Sequence, residues 1–272
     1  MSEQYPLSWA RDWEDNFFLR SLPREGFMPR GDEVRLDPRP FLRVENQGSV
    51  GACQGHSLSS SLEWCYRIAT GGESIQLSRA MAYYESQRID KITGDRGSTI
   101  AGGIKLGMNT GICVEELWKY TGRYNPARPV HYDDVLMDAS KYKLGRAVNL
   151  RSYTAVRSFL GSGQGAVHLG ILWSNRLNTA VLESYSDRGA SGGHAISLYA
   201  LSEREDSDGN PYVWMMNSWS SNWGNKGWAE WSPAAVGAMI ESSYSHFVGV
   251  SDMPHVSPRK FTVEDWMKRL RV

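Results

Sequence analysis

The chain has 272 residues, and its 30 lysines and arginines match 30 aspartates and glutamates, so no global field favours nucleic acid or an anionic membrane. That length suits one large domain or two small lobes with ample interior. No apolar run approaches the roughly 20 residues needed to span a bilayer. The opening Met1-Ser2-Glu3-Gln4-Tyr5-Pro6 is polar and lacks the basic region and apolar stretch of a secretory signal. Cys53, Cys65 and Cys113 are an odd set without paired spacing, and the chain has no Asn-x-Ser/Thr sequon. A reducing, cytoplasmic compartment is therefore the expectation. Eleven tryptophans and thirteen tyrosines predict an aromatic-rich core or grooves.

In chain order, Trp9, Trp13 and Phe17 recur every four residues and predict an amphipathic N-terminal helix. Pro38 and Pro40 make residues 36–43 an extended entry segment. The stretch from Asn46 to Ser57 then reads Asn-Gln-Gly-Ser-Val-Gly-Ala-Cys-Gln-Gly-His-Ser. Gly48 and Gly51 let the backbone turn sharply between Gln47 and Cys53. After Cys53 the apolar positions Leu58, Leu62, Cys65 and Ala69 step by four, three and four, the spacing of a buried helix. Cys53 falls on its first turn, where unpaired amides and the helix dipole favour a thiolate over a thiol.

Gly71-Gly72 breaks that helix. Ser78 is an N-cap for a helix carrying Met81, Tyr84 and Ile89, and residues 98–109 form another, stopped by Gly111. Residues 133–142 and 154–160 are short helical candidates. The texture then changes: residues 166–173, 194–201 and 212–216 are apolar or alternating segments rich in β-formers. The Asp206-Ser-Asp-Gly-Asn segment is a turn between two of them and misses calcium-loop spacing. Gly161-Ser-Gly-Gln-Gly lacks the Gly-Lys-Ser/Thr of a phosphate loop and also reads as a turn. Helices first and strands afterwards imply an α+β protein. Val263, Trp266, Met267 and Leu270 predict a C-terminal helix, with Lys268, Arg269 and Arg271 in its last turn. No cluster has metal-ligand spacing, and no cofactor is expected.

The Asn46–Ser57 stretch resembles the active-site segment of papain-like cysteine peptidases, roughly Asn-Gln-Gly-Ser-Cys-Gly-Ser-Cys-Trp. Val50 stands for a disulfide cysteine of that pattern and Gln54 for the tryptophan after the nucleophile. The resemblance implies that Cys53 attacks a carbonyl and Gln47 donates to the oxyanion. Such chemistry needs a base, which the fold brings from far along the chain. Of the six histidines, His194 follows Ser191-Gly192-Gly193 and opens an apolar strand, resembling the family's histidine motif. It lies 141 residues after Cys53, within the roughly 130–150 of papain and cathepsins. Met216-Asn217-Ser218-Trp219, then Trp223-Gly224 and Gly227-Trp228, resembles the family's Asn-Ser-Trp-Gly-x-x-Trp-Gly-x-x-Gly-aromatic pattern, with Ser220 for the first glycine. By that resemblance Asn217 orients the imidazole and Trp219 shields their hydrogen bond. Gly51, Gly97, Ser98, Gly193 and Trp219 are the expected substrate-binding positions. His56 is expected to face the lobe interior or rim and His168 the core; Cys113 is expected to be structural. His131, His246 and His255 sit in polar or turn-like contexts and carry no signal.

The resemblance, over about residues 36–232, implies a two-lobe fold with an N-terminal helical lobe, a C-terminal antiparallel sheet lobe and the active site between them. The expected layout is an arm over 1–36, a catalytic domain over 37–250 (helical lobe about 45–150, sheet lobe about 151–250) and an extension over 251–272. The implied activity is a cysteine endopeptidase with a Cys-His-Asn mechanism acting on a peptide or protein substrate. Acyl transfer by the same thiol is a variant, and a vestigial scaffold within a larger, phage or bacterial assembly is the alternative. A protein partner could meet the N-terminal arm or the C-terminal helix; a place in a viral particle is the alternative localisation.

Overall fold

The computed structural model of the chain describes residues 18–23 and 33–256. The expected helices around Trp9, Trp13 and Phe17 and around Val263, Trp266, Met267 and Leu270 lie outside them. Besides a helical turn over residues 18–21, six α-helices are described: α1 (Cys53–Thr70), α2 (Arg79–Asp90), α3 (Ile100–Asn109), α4 (Tyr132–Ala139), α5 (Tyr153–Gly161) and α6 (Pro233–Glu241). The first four precede the sheet. The strands are β1 (Arg146–Asn149), β2 (Gly165–Trp173), β3 (Val181–Leu182), β4 (Gly192–Glu205), β5 (Pro211–Met216), β6 (Trp228–Trp231) and β7 (His246–Ser251). They form one sheet in the order β1-β7-β2-β4-β5-β6-β3. Its pairs are antiparallel except β3 with β6, which is parallel.

Helix α1 is the element around which the two halves meet. It begins at Cys53 without a side-chain cap and ends at Gly71, whose φ of +69° closes the last turn. Most of its residues are buried because neighbours cover it on several sides: Leu58 and Leu62 join α2 and α3, while Trp64 and Cys65 join the sheet. Its serines turn to the helix backbone, to the sheet or, for Ser59, to the carbonyl of Ser78 at 3.3 Å. Ser60 and Ser61 donate to the carbonyls of His56 and Ser57, at 2.8 and 2.9 Å. Ser57 Oγ meets Ser197 Oγ on β4 at 2.6 Å and His168 Nδ1 on β2 at 2.7 Å.

Several local expectations are corrected. The third helix starts at Ile100, two residues later than expected, because the Thr99 hydroxyl accepts from Gly102 N–H and caps it. Ser78 caps α2 as expected, accepting from Met81 N–H, but Ile89 lies on its exposed face. Gly48 takes φ +61°, whereas Gly51 keeps a negative φ and spends its N–H on Asp95 Oδ1 at 2.8 Å. His246 opens a strand rather than a turn. β1 already belongs to the sheet, ahead of residue 151. The described part of the arm packs on the domain: Leu19 and Leu22 are buried, and Asn149 binds the carbonyls of Leu19 and Pro23.

Candidate active site

The site is built at the start of α1, the start of β4 and the loop after β5. Cys53 is the first residue of α1 and is fully buried. The amides of that first turn lack intrahelical acceptors. His194 stands near the start of β4, paired in register with Ile171 of β2, and is also fully buried. Asn217 follows β5 directly, and its own N–H donates to the carbonyl of Gly227 at 2.9 Å.

One chain of donors fixes the chemistry of the imidazole. Ser218 N–H donates to Asn217 Oδ1 at 2.8 Å, so that atom is an acceptor. The same Oδ1 lies 2.8 Å from His194 Nε2, so Nε2 must carry the proton and donate. Nδ1 is then the ring's basic atom, and it is buried without a hydrogen-bond partner. Trp219 stacks on the imidazole at 4.4 Å between centroids, and Trp173 meets it edge-on at 4.9 Å. These rings keep water from the histidine–asparagine bond. Burial pushes the His194 pKa down to about 4, against the opposing pull of Asn217.

Gln47 is held from several sides. Its N–H donates to the carbonyl of Ser218 at 2.8 Å, and its carbonyl accepts from Tyr120 Oη–H at 2.8 Å. Ser218 Oγ–H donates to its Oε1 at 2.6 Å, which directs the Nε2 amide toward the carbonyl of Val50 at 2.9 Å. One of the two Nε2 hydrogens is used there, and the amide can offer the second. Ser218 therefore touches both amides of the site, one through its backbone and the other through its hydroxyl.

The remaining expected positions divide. Gly193 adjoins His194 and is partly exposed, and Gly51 lies two residues before Cys53. Gly97, at φ +80°, is buried; its carbonyl accepts from Gln87 and its N–H donates to Tyr83 Oη. Ser98 is buried with its hydroxyl on Gln54 Oε1 at 2.7 Å, so that side chain supports the helix start rather than offering a contact in the cleft. His56 turns inward: Nδ1 meets the carbonyl of Ala52 at 3.0 Å, and the ring lies edge-on to Tyr120. His168 is a core residue, as expected, and burial pushes the pKa of both histidines down to about 3. Cys65 and Cys113 are buried thiols pushed up to about 12, and no disulfide joins the three cysteines. Among the described residues no group of three or more His, Cys, Asp or Glu could hold a metal ion.

The pattern of the papain family of cysteine proteases matches residues 31–246. The chain belongs to that family. The rice oryzain gamma chain (Oryza sativa subsp. japonica) is 26% identical over 199 residues, which is 68% of this chain and 50% of that protein. The chain thus spans about half the length of that relative. Xylellain, a cysteine protease from Xylella fastidiosa, superposes with a TM-score of 0.68 at 20% identity, covering 90% of this chain and 91% of the other. Bromelain from Ananas comosus, in complex with E64, gives 0.60 at 14% identity, over 81% and 99%. These two likenesses establish the papain-like α+β fold.

Two residues of this candidate site escaped the sequence reading. Ser218 stood inside the Asn-Ser-Trp motif and could have been found there, as the one polar side chain between two motif residues. Tyr120 lies 73 residues from the backbone it holds, and nothing local marks it.

Proposed function

We propose that the protein is a cysteine endopeptidase that cleaves peptide bonds through Cys53, His194 and Asn217. The observation that carries this reading is the His194–Asn217 bond. It fixes the proton on Nε2 and leaves Nδ1 as a base under a tryptophan lid. In the proposed cycle, Nδ1 takes the Cys53 thiol proton and the sulfur attacks the substrate carbonyl. The Gln47 amide and the first-turn amides of α1 receive the negative charge on oxygen. His194 returns the proton to the leaving amine, and water repeats the sequence on the thioester to release the acid. No observation favours a vestigial scaffold.

A peptidyl electrophile such as E64 and a fluorogenic peptide library test this on one sample. Native protein should cleave peptides internally and be labelled at Cys53. Cys53→Ala and His194→Ala should lose turnover with the fold intact. Asn217→Ala should keep a measurable remainder, because it orients the base and does not react. Native protein that is well folded yet neither labelled nor active would end the proposal.

A further inference from the structure

A second cavity lies at the far end of α1. It measures about 470 Å³ and is bounded by residues 40–43 and Glu45, by Glu63 and Arg67 of α1, and by residues 74–76 and Arg79. Arg67 lies fourteen residues after Cys53, roughly 21 Å along the helix at 1.5 Å per residue, so this end of the cavity is remote from the candidate nucleophile.

The charges around this cavity are unevenly matched. Glu63 is held by Arg79, with Nη2 2.9 Å from Oε2. Glu45 pairs with Arg43 at 3.2 Å and accepts from Gln76 Nε2 at 3.0 Å. Arg67 is different. Its Nη1 donates to Ser74 Oγ at 2.7 Å and its guanidinium lies 4.7 Å over the Phe41 ring, but it is in no ion pair with a described residue. Its Nε–H is buried without a hydrogen-bond partner. Desolvation has already raised the energy of this cation, because burial favours its neutral form.

We propose that this cavity binds a small organic carboxylate, with its anion on Arg67 and its apolar body against Phe41, Leu42 and Ile75. Three arginines against two glutamates leave one positive charge in the lining. That balance fits a monoanion and disfavours a doubly charged phosphate facing Glu45 and Glu63. The volume lies within the roughly 300–1,000 Å³ of small-molecule sites. The planar guanidinium can hold both oxygens of a carboxylate, a geometry lysine could not offer.

Phenylacetate is the probe, titrated calorimetrically into the native protein at neutral pH with phenylacetamide as its uncharged analogue. Phenylacetate should bind saturably at one site. Phenylacetamide, and phenylacetate on Arg67→Gln, should each bind about tenfold or more weakly, the worth of a hydrogen bond to a charged group. Arg67→Gln should leave peptide cleavage unchanged. Phe41→Ala, which keeps every charge, should also weaken binding, so the proposal remains testable if the arginine variant fails to fold. Alkylating Cys53 should leave the titration unaltered. Absence of saturable binding, equal binding of the amide, or loss on alkylation would each overturn the site. None of these results depends on the peptidase reading.

Discussion

Three fully buried histidines make the stability of this protein acid-sensitive. Burial lowers His56 and His168 to about 3 and His194 to about 4, from 6.5. As pH falls, the unfolded chain binds these protons first. Stability is therefore held above pH 6.5 and lost as pH falls toward 4 and then 3. Between pH 7 and 5, each histidine removes about 2 kcal/mol, at 1.36 kcal/mol per unit of pKa difference. Together they remove about 6 kcal/mol, a large share of the 5–15 kcal/mol typical of a folded protein.

His168 is the cleanest of the three to remove. Its side chain bonds Ser57 Oγ, and burial alone lowers its pKa, whereas Arg79 also lowers that of His56. Urea melts at pH 7, 6 and 5 should show a steep fall in native protein. In His168→Gln the fall should be about one third smaller, whatever the variant's absolute stability. Using the slope separates titration from lost packing. Stability that stays flat from pH 7 to 5, or a slope unchanged in His168→Gln, would refute the reasoning.

The hydrogen bonds to Gln47 set an order of effects. Gln47→Ala should lower kcat by roughly 10²–10³, as loss of an oxyanion donor does elsewhere. Ser218→Ala should lower it by about tenfold, because Gln47 Oε1 loses its donor while the amide stays in place. Steady-state kinetics on a single peptide settles the order, and an effect confined to KM would remove Gln47 from the oxyanion role.

Much of the fold, and the pairing of His194 with Asn217 in the candidate site, was legible because it depends on local chemistry. The four-three-four spacing after Cys53 marked α1 because its positions are covered, Leu58 and Leu62 by α2 and α3 and Cys65 by the sheet. Residues 166–173 read as a strand because β-formers there are covered on both faces. Small errors fell where competing caps stand close together. Ser98 and Thr99 could each start a helix, and a glutamine 44 residues upstream claims the hydroxyl of Ser98. β1, β3 and β6, at two to four residues, are too short to show a period, and tertiary pairing creates them. The same holds for Tyr120 and for the Ser57–His168–Ser197 cluster. Each is ordinary in its own segment and acquires meaning only when α1 lies against the sheet.

The loop after Asn217 shows most directly how a motif becomes geometry. Ser220, Gly224 and Gly227 have φ of +64°, +54° and +91°, the left-handed region where a side chain is disfavoured. At Gly227 an added Cβ would lie 2.3 Å from Val44 Cγ1, and at Gly224 it would lie 2.6 Å from the carbonyl of Trp228. Glycine is required at those positions for space as well as for conformation. Ser220 is partly exposed and tolerates its Cβ, while its N–H donates to the carbonyl of Glu45, two residues before Gln47. Ser220→Gly should relieve about 1–2 kcal/mol of left-handed strain. It should also lose about 0.4–1 kcal/mol through the freer unfolded chain, for a net gain of about 0.8 kcal/mol. Gly227→Ala should instead cost more than about 2 kcal/mol, since strain and overpacking act together. Opposite signs in urea melts of these two variants are the expected result. A Ser220→Gly protein destabilised by more than about 1 kcal/mol would mean that the weak bond from Asn222 N–H to Ser220 Oγ, at 3.3 Å, outweighs backbone strain in holding this loop.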